Sequence, residues 1–161
     1  MRPPKGGRIS FQMDAPPSPS IEQAITEIAD EFAFLPDWEE RIGHVIALGR
    51  GLEPITDAER NDETRIRGCA SQVWLVSDRH PETPEKLYFR GDSDAHLVRG
   101  EIALLLRIFS GRTPQEILSV DPQALFTRLG LKEALTPQRS NGLFSMMNRI
   151  QREARVAQGS A

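Results

Sequence analysis

The sequence predicts a single α+β domain, on three observations: helical apolar spacing towards both ends of the chain, two short β-prone runs near its middle, and no internal repeat. Residues 1–20 hold Pro3, Pro4, Gly6, Gly7, Pro16, Pro17 and Pro19, too little apolar area to offset chain ordering, and predict a disordered tail. Ser20 stands where an N-cap belongs, and Ile21, Ile25, Ile28, Phe32 and Leu35 follow at helical spacing until Pro36. Asp37 can cap a second helix with the stripe Trp38, Ile42, Val45 and Ile46, stopped at Gly49 and Gly51. These two helices are expected to form a hairpin.

The polar stretch 53–61 leads to β-prone runs at 73–77 and 86–90. His80-Pro81-Glu82-Thr83-Pro84 lies between them, which predicts an antiparallel pair. A third short strand is expected just before Gly68, giving a small antiparallel sheet of about three strands packed against several helices. Residues 95–109 are apolar on most helical faces, so that helix must be buried; Gly91-Asp92-Ser93-Asp94 offers capping oxygens ahead of it. Thr113-Pro114-Gln115-Glu116 combines an N-cap, a first-turn proline and a glutamate at N3, predicting a short helix through Leu118. Another runs from Asp121-Pro122 to Gly130. The last opens at Thr136-Pro137 and continues to about Ala157, with Leu143, Met146, Met147 and Ile150 closing the core. The domain thus spans 21–157, with 158–161 a second disordered tail.

With 161 residues, 39% of them hydrophobic and 27% charged, the chain suits one soluble core. A net charge of −3 gives no reason to expect nucleic acid as the main partner. The longest apolar stretch, 102–106, falls far short of the ~20 residues that span a membrane. Arg2, Lys5 and Arg8 lack the apolar core of a secretory signal, and a lone cysteine fits the reducing cytoplasm.

That cysteine, Cys69, lies in Arg65-Ile66-Arg67-Gly68-Cys69-Ala70-Ser71-Gln72-Val73-Trp74. One sulfur cannot close an internal disulfide or hold an iron-sulfur cluster unaided, so a working thiol here suits a transient carrier. Solitary cysteines are more often inert and buried. Against that, Arg65 and Arg67 supply positive potential favouring thiolate, and Gly68 lets a loop bend to present the side chain. The two arginines read equally well as a solvated strand edge. Arg139 falls at N3 of the last helix, where the helix dipole prefers an acid; it either serves a thiolate or a partner carboxylate, or reaches out to water. His44, His80 and His96 show no metal-ligand spacing with each other or with Cys69, and no metal is expected. Asp92 and Asp94 read as helix-capping acids before a metal pair.

Four stretches in order resemble the SufE family of sulfur acceptors: Trp38-Glu39-Glu40-Arg41 with Leu48-Gly49; Gly68-Cys69-Ala70-Ser71-Gln72-Val73-Trp74; Gly91-Asp92-Ser93-Asp94-Ala95; and Leu135-Thr136-Pro137-Gln138-Arg139-Ser140-Asn141-Gly142-Leu143. The resemblance implies a fold shared with iron-sulfur scaffold proteins, with the cysteine on a loop at one edge. It implies that Cys69 accepts persulfide sulfur from a SufS-type cysteine desulfurase, stimulates that enzyme and relays the sulfur for cluster assembly. Arg139 matches the arginine of the family's Thr-Pro-x-Arg motif, and Asp92 and Asp94 its acidic turn; Arg67, Gly68, Ser71 and Gln72 complete the expected partner-binding set. Ala70 departs from the polar residue common after the cysteine. No cofactor is expected on this chain, pyridoxal phosphate belonging to the desulfurase. An iron-sulfur scaffold complex and a second copy of the chain are further candidate partners. The alternative is a docking module that regulates a desulfurase without using Cys69. An exposed persulfide would be lost to reductants, so the resting thiol is expected to be shielded.

Overall fold

The computed structural model describes residues 20–131 and 135–159. Helices α1 (Ile21–Ala33) and α2 (Trp38–Gly49) precede strands β1 (Val73–Asp78) and β2 (Tyr88–Ser93), and helices α3 (His96–Phe109), α4 (Pro114–Leu118), α5 (Pro122–Arg128) and α6 (Pro137–Gly159) follow. Of the expected tails 1–20 and 158–161, residues 1–19 and 160–161 lie outside the described residues; Ser20 caps α1, and α6 continues two residues past the expected domain end at 157.

The starts of α1, α2 and α4 are as the sequence dictates. Ser20 and Gln23 form a reciprocal capping box on α1, Asp37 accepts from the Glu40 amide, and Thr113 and Glu116 cap α4 the same way as α1. Residues 53–61 are held against the strand pair by Arg90 of β2, which reaches Glu59 at 2.6 Å and Asp78 of β1 at 2.7 Å.

Helix α3 is the axis of the core. Its Leu104, Leu105, Ile108 and Phe109 are buried, and it packs against α1, α2, α6 and strand β2. The contact with α2 is close enough to require glycine: a Cβ on Gly100 would lie 2.1 Å from the Val45 carbonyl oxygen. So α1 and α2 both face α3, and they meet each other near their junction through His44, which stacks edge-on to Phe32 and bonds Glu31 at 3.1 Å. On the other flank, Gln151 of α6 donates to the carbonyl oxygens of Ile117 and Val120, satisfying the end of α4 inside the core.

The sheet has two antiparallel strands, paired from Val73 with Ser93 to Asp78 with Tyr88. Val73, Leu75, Phe89 and Gly91 alternate onto the core side, following the period of two that strand geometry imposes. In place of the expected third strand there is a single bridge from Arg65 to Trp74. At Gly68, which takes φ +88° and lies against α6, the chain turns away before a ladder can lengthen.

Candidate functional site

The bridge to β1 closes a loop. The Ile66 amide donates to the Val73 carbonyl at 2.8 Å and the Leu75 amide to Thr64 at 2.9 Å, so residues 67–72 project from a fixed base with Cys69 near the middle. Three tethers hold this loop down. At its end, Asp94 accepts from the Gln72 amide at 3.1 Å while its own amide donates to the Gln72 carbonyl at 3.4 Å. At its start, Arg149 of α6 donates to the carbonyl oxygens of Arg65 (3.2 Å) and Glu63. In the middle, the Cys69 thiol donates to the Gly142 carbonyl of α6 at 3.6 Å, a weak bond of the kind sulfur makes. Gly68 lies tight against the same helix, where a Cβ would come 2.6 Å from Ser145 Oγ.

The half-buried Cys69 borders a pocket of about 70 Å³ with Ser71, Glu101, Arg139, Gly142 and Met146. Glu101 is the unexpected member. It is only 4% exposed, and its Oε2 is buried with no hydrogen-bond partner. Burial pushes its carboxyl up to about 7, against the opposing pull of the Arg139 charge. Burial also raises the Cys69 thiol, the negative charge of Glu101 raises it further, and Arg65 only partly counters this. The expected net shift towards thiolate is therefore reversed in the resting chain: desolvation and a buried acid outweigh the neighbouring arginine.

The other expected residues separate into three groups. Arg139 stands on the exposed first turn of α6, its amide donating to Thr136 Oγ1 at 3.3 Å, and lines the Cys69 pocket. Gln72 and Asp94 meet as the loop tether described above, while exposed Arg67 lies away from the pocket in a groove beside α6. Asp92 is turned inward, bridging Arg60 at 2.6 Å and Arg99 at 3.0 Å, and the Arg60 guanidinium in turn covers the Trp74 ring. Neither aspartate caps α3: the N-cap is Ala95, which has no side-chain cap, because both carboxylates are committed elsewhere. Among the described residues, no group of three or more His, Cys, Asp or Glu could hold a metal ion, and no helix is long and apolar enough to cross a membrane. Sequence reasoning missed Glu101, whose one available signal was a charge at the position between Val98 and Leu105 on the inward face of a helix read as buried.

Residues 26–154 match the family model described as "SufE: Fe-S metabolism associated domain". An "uncharacterized SufE-like protein" of Rhizobium etli is 47% identical over 135 residues, 83% of this chain and 90% of that relative. Another from Rhizobium meliloti is 46% identical over 132 residues, 81% of this chain and 94% of that protein. The fold is similar to the solution structure of a hypothetical protein from Thermus thermophilus, with a TM-score of 0.69 at 22% identity, covering 84% of this chain and 96% of that one.

Proposed function

The chain belongs to the SufE family, and from that premise we propose that it is a sulfur carrier of iron-sulfur metabolism whose acceptor is Cys69. In the proposed step, the Cys69 thiolate attacks the terminal sulfur of a persulfide on a pyridoxal-phosphate cysteine desulfurase. The donor S–S bond breaks, the desulfurase thiolate leaves and takes up the proton, and Cys69 becomes the persulfide. No net oxidation occurs; one zero-valent sulfur changes owner. The carrier stimulates a SufS-type partner by emptying its active-site cysteine, in the cytoplasm, and hands the sulfur on to a scaffold complex.

The single observation that carries this reading is the tethered loop bearing the only cysteine above a small pocket. A cavity of about 70 Å³ has room for an atom the size of a second sulfur, since about 10–15 Å³ of such volume already admits a water. Arg139 at its rim supplies positive charge to an anionic persulfide. Burial, reinforced by the Glu101 charge, opposes ionisation of the empty thiol, which keeps Cys69 unreactive until a partner changes its surroundings.

The test is desulfurase turnover with and without the chain. Wild type raises the rate of sulfide or alanine release, and Cys69→Ser, expected to fold normally, loses that stimulation. Full stimulation by Cys69→Ser sinks the carrier reading in favour of a regulatory docking module.

A further inference from the structure

A broad groove of about 730 Å³ runs between residues 62–67 and the exposed face of α6, separate from the Cys69 pocket but ending at the same loop. It is rich in arginine: Arg65, Arg67, Arg149, Arg152 and Arg155 line it, against Asp62, Glu63 and Glu153. Two of these charges are already used in the fold. Arg149 bonds Glu153 at 3.1 Å and staples the chain at 63–65 to α6, and Glu153 also accepts from Ser77 at 3.2 Å. Arg67, Arg152 and Arg155 are exposed, and no described acid forms an ion pair with them. Arg65 presents a buried Nε without a hydrogen-bond partner. A chain of net charge −3 has concentrated unpaired cations in a groove that reaches the base of the loop carrying its only cysteine.

We propose that this groove is a docking surface for a carboxylate-rich segment of the partner protein that delivers sulfur to Cys69. The inference rests on the carrier reading for the partner's identity, but its chemistry is local. Guanidinium groups bind carboxylates through paired N–H donors, a geometry lysine does not offer. Arg152 and Arg155 lie three residues apart on one helix, a spacing that puts neighbouring side chains on one face for successive acids of a partner segment. Arg67 is two residues from Cys69 in sequence, so an acidic segment seated here grips the base of the loop that carries the sulfur. Docking also bears on Arg149, which ties the loop's base to α6, so a bound carboxylate competes directly with that tether. Nucleic acid fits less well: the described residues that line the groove include no aromatic side chain on which a base stacks, and Asp62 and Glu63 at its edge repel a phosphate chain.

The experiment titrates the full chain with a fluorescent hexaglutamate peptide and, separately, with a single-stranded RNA of similar length, at two salt concentrations. The double variant Arg152→Glu/Arg155→Glu is compared with wild type after its thermal melt has been matched. Expected is salt-sensitive peptide binding that weakens about tenfold or more in the variant, tenfold corresponding to about 1.4 kcal/mol. With a cysteine desulfurase from the same genome, the variant should need about tenfold more protein for half-maximal stimulation while reaching the same sulfur loading at saturation. Equal peptide affinity in variant and wild type, or tighter binding of the RNA than of the peptide, overturns the proposal. If wild type accepts no sulfur at all, the carrier reading fails and the peptide titration still decides the groove. Should Arg152→Glu/Arg155→Glu not fold, Arg152→Gln/Arg155→Gln replaces it, with the same direction of effect.

Discussion

Glu101 and Cys69 share one small pocket, where burial raises the pKa of the thiol and the carboxylate beside it, itself buried with an unpartnered oxygen, raises it further. A charge in that place does not stabilise the fold. Its position beside the only nucleophilic sulfur gives it a different consequence, which is to hold the resting cysteine in the thiol form.

Replacing Glu101 by Gln removes the negative charge while keeping the shape. The Cys69 pKa should fall towards the ordinary thiol value, and alkylation of Cys69 by iodoacetamide near pH 8 should accelerate several-fold. An unchanged profile of alkylation rate against pH would mean that Glu101 does not act on the sulfur.

The same residue makes stability depend on pH, with a definite sign. The folded carboxyl titrates at about 7 and its ordinary value is 4.5, so between these the native state binds more protons than the unfolded one. The contribution is full below 4.5 and is lost as pH rises through 7. Relative to Glu101→Gln, wild type should lose about 2–3 kcal/mol between pH 5 and pH 8, since each tenfold difference in proton affinity between folded and unfolded chain is worth about 1.4 kcal/mol. Urea unfolding at both pH values measures it; parallel stability curves for the two proteins would contradict the buried, unpaired state of this acid.

Asp94 is predicted to hold the loop more than the fold. Asp94→Ala removes the acceptor of the Gln72 amide, at a cost of about 1 kcal/mol, because the freed amide is exposed and water takes it up. Melting should shift by only a few degrees, while Cys69 alkylation speeds up several-fold as the loop leaves Gly142. A large loss of stability with no change in alkylation would make Asp94 a structural residue alone.

Much of this architecture was legible in the sequence because it rests on local chemistry. Ser20, Asp37, Thr113 and the prolines at 114, 122 and 137 mark helix starts through bonds made within a few residues. The strand pair followed from alternation and the Pro-rich turn between the runs. What was not legible depends on contacts far apart in the chain. Asp92 and Asp94 carry oxygens suited to capping, but Arg60 at 32 positions' distance and Gln72 at 22 claim them in three dimensions. The third strand fails at Gly68 because α6, packed from the far end of the chain, fixes where the loop can turn. The reversal of the expected thiolate preference has the same origin: Glu101 is 32 residues from Cys69 in sequence, and only the packing of α3 under the loop sets its charge against the sulfur.

Sulfur acceptance by Cys69 is tested most directly by the mass of the intact chain after incubation with a pyridoxal-phosphate cysteine desulfurase and free cysteine. A carrier gains one sulfur, mapped to Cys69, removed by a reductant and absent when the desulfurase is left out. An unchanged mass under conditions where the desulfurase turns over, or sulfur that persists on Cys69→Ser, would contradict that role.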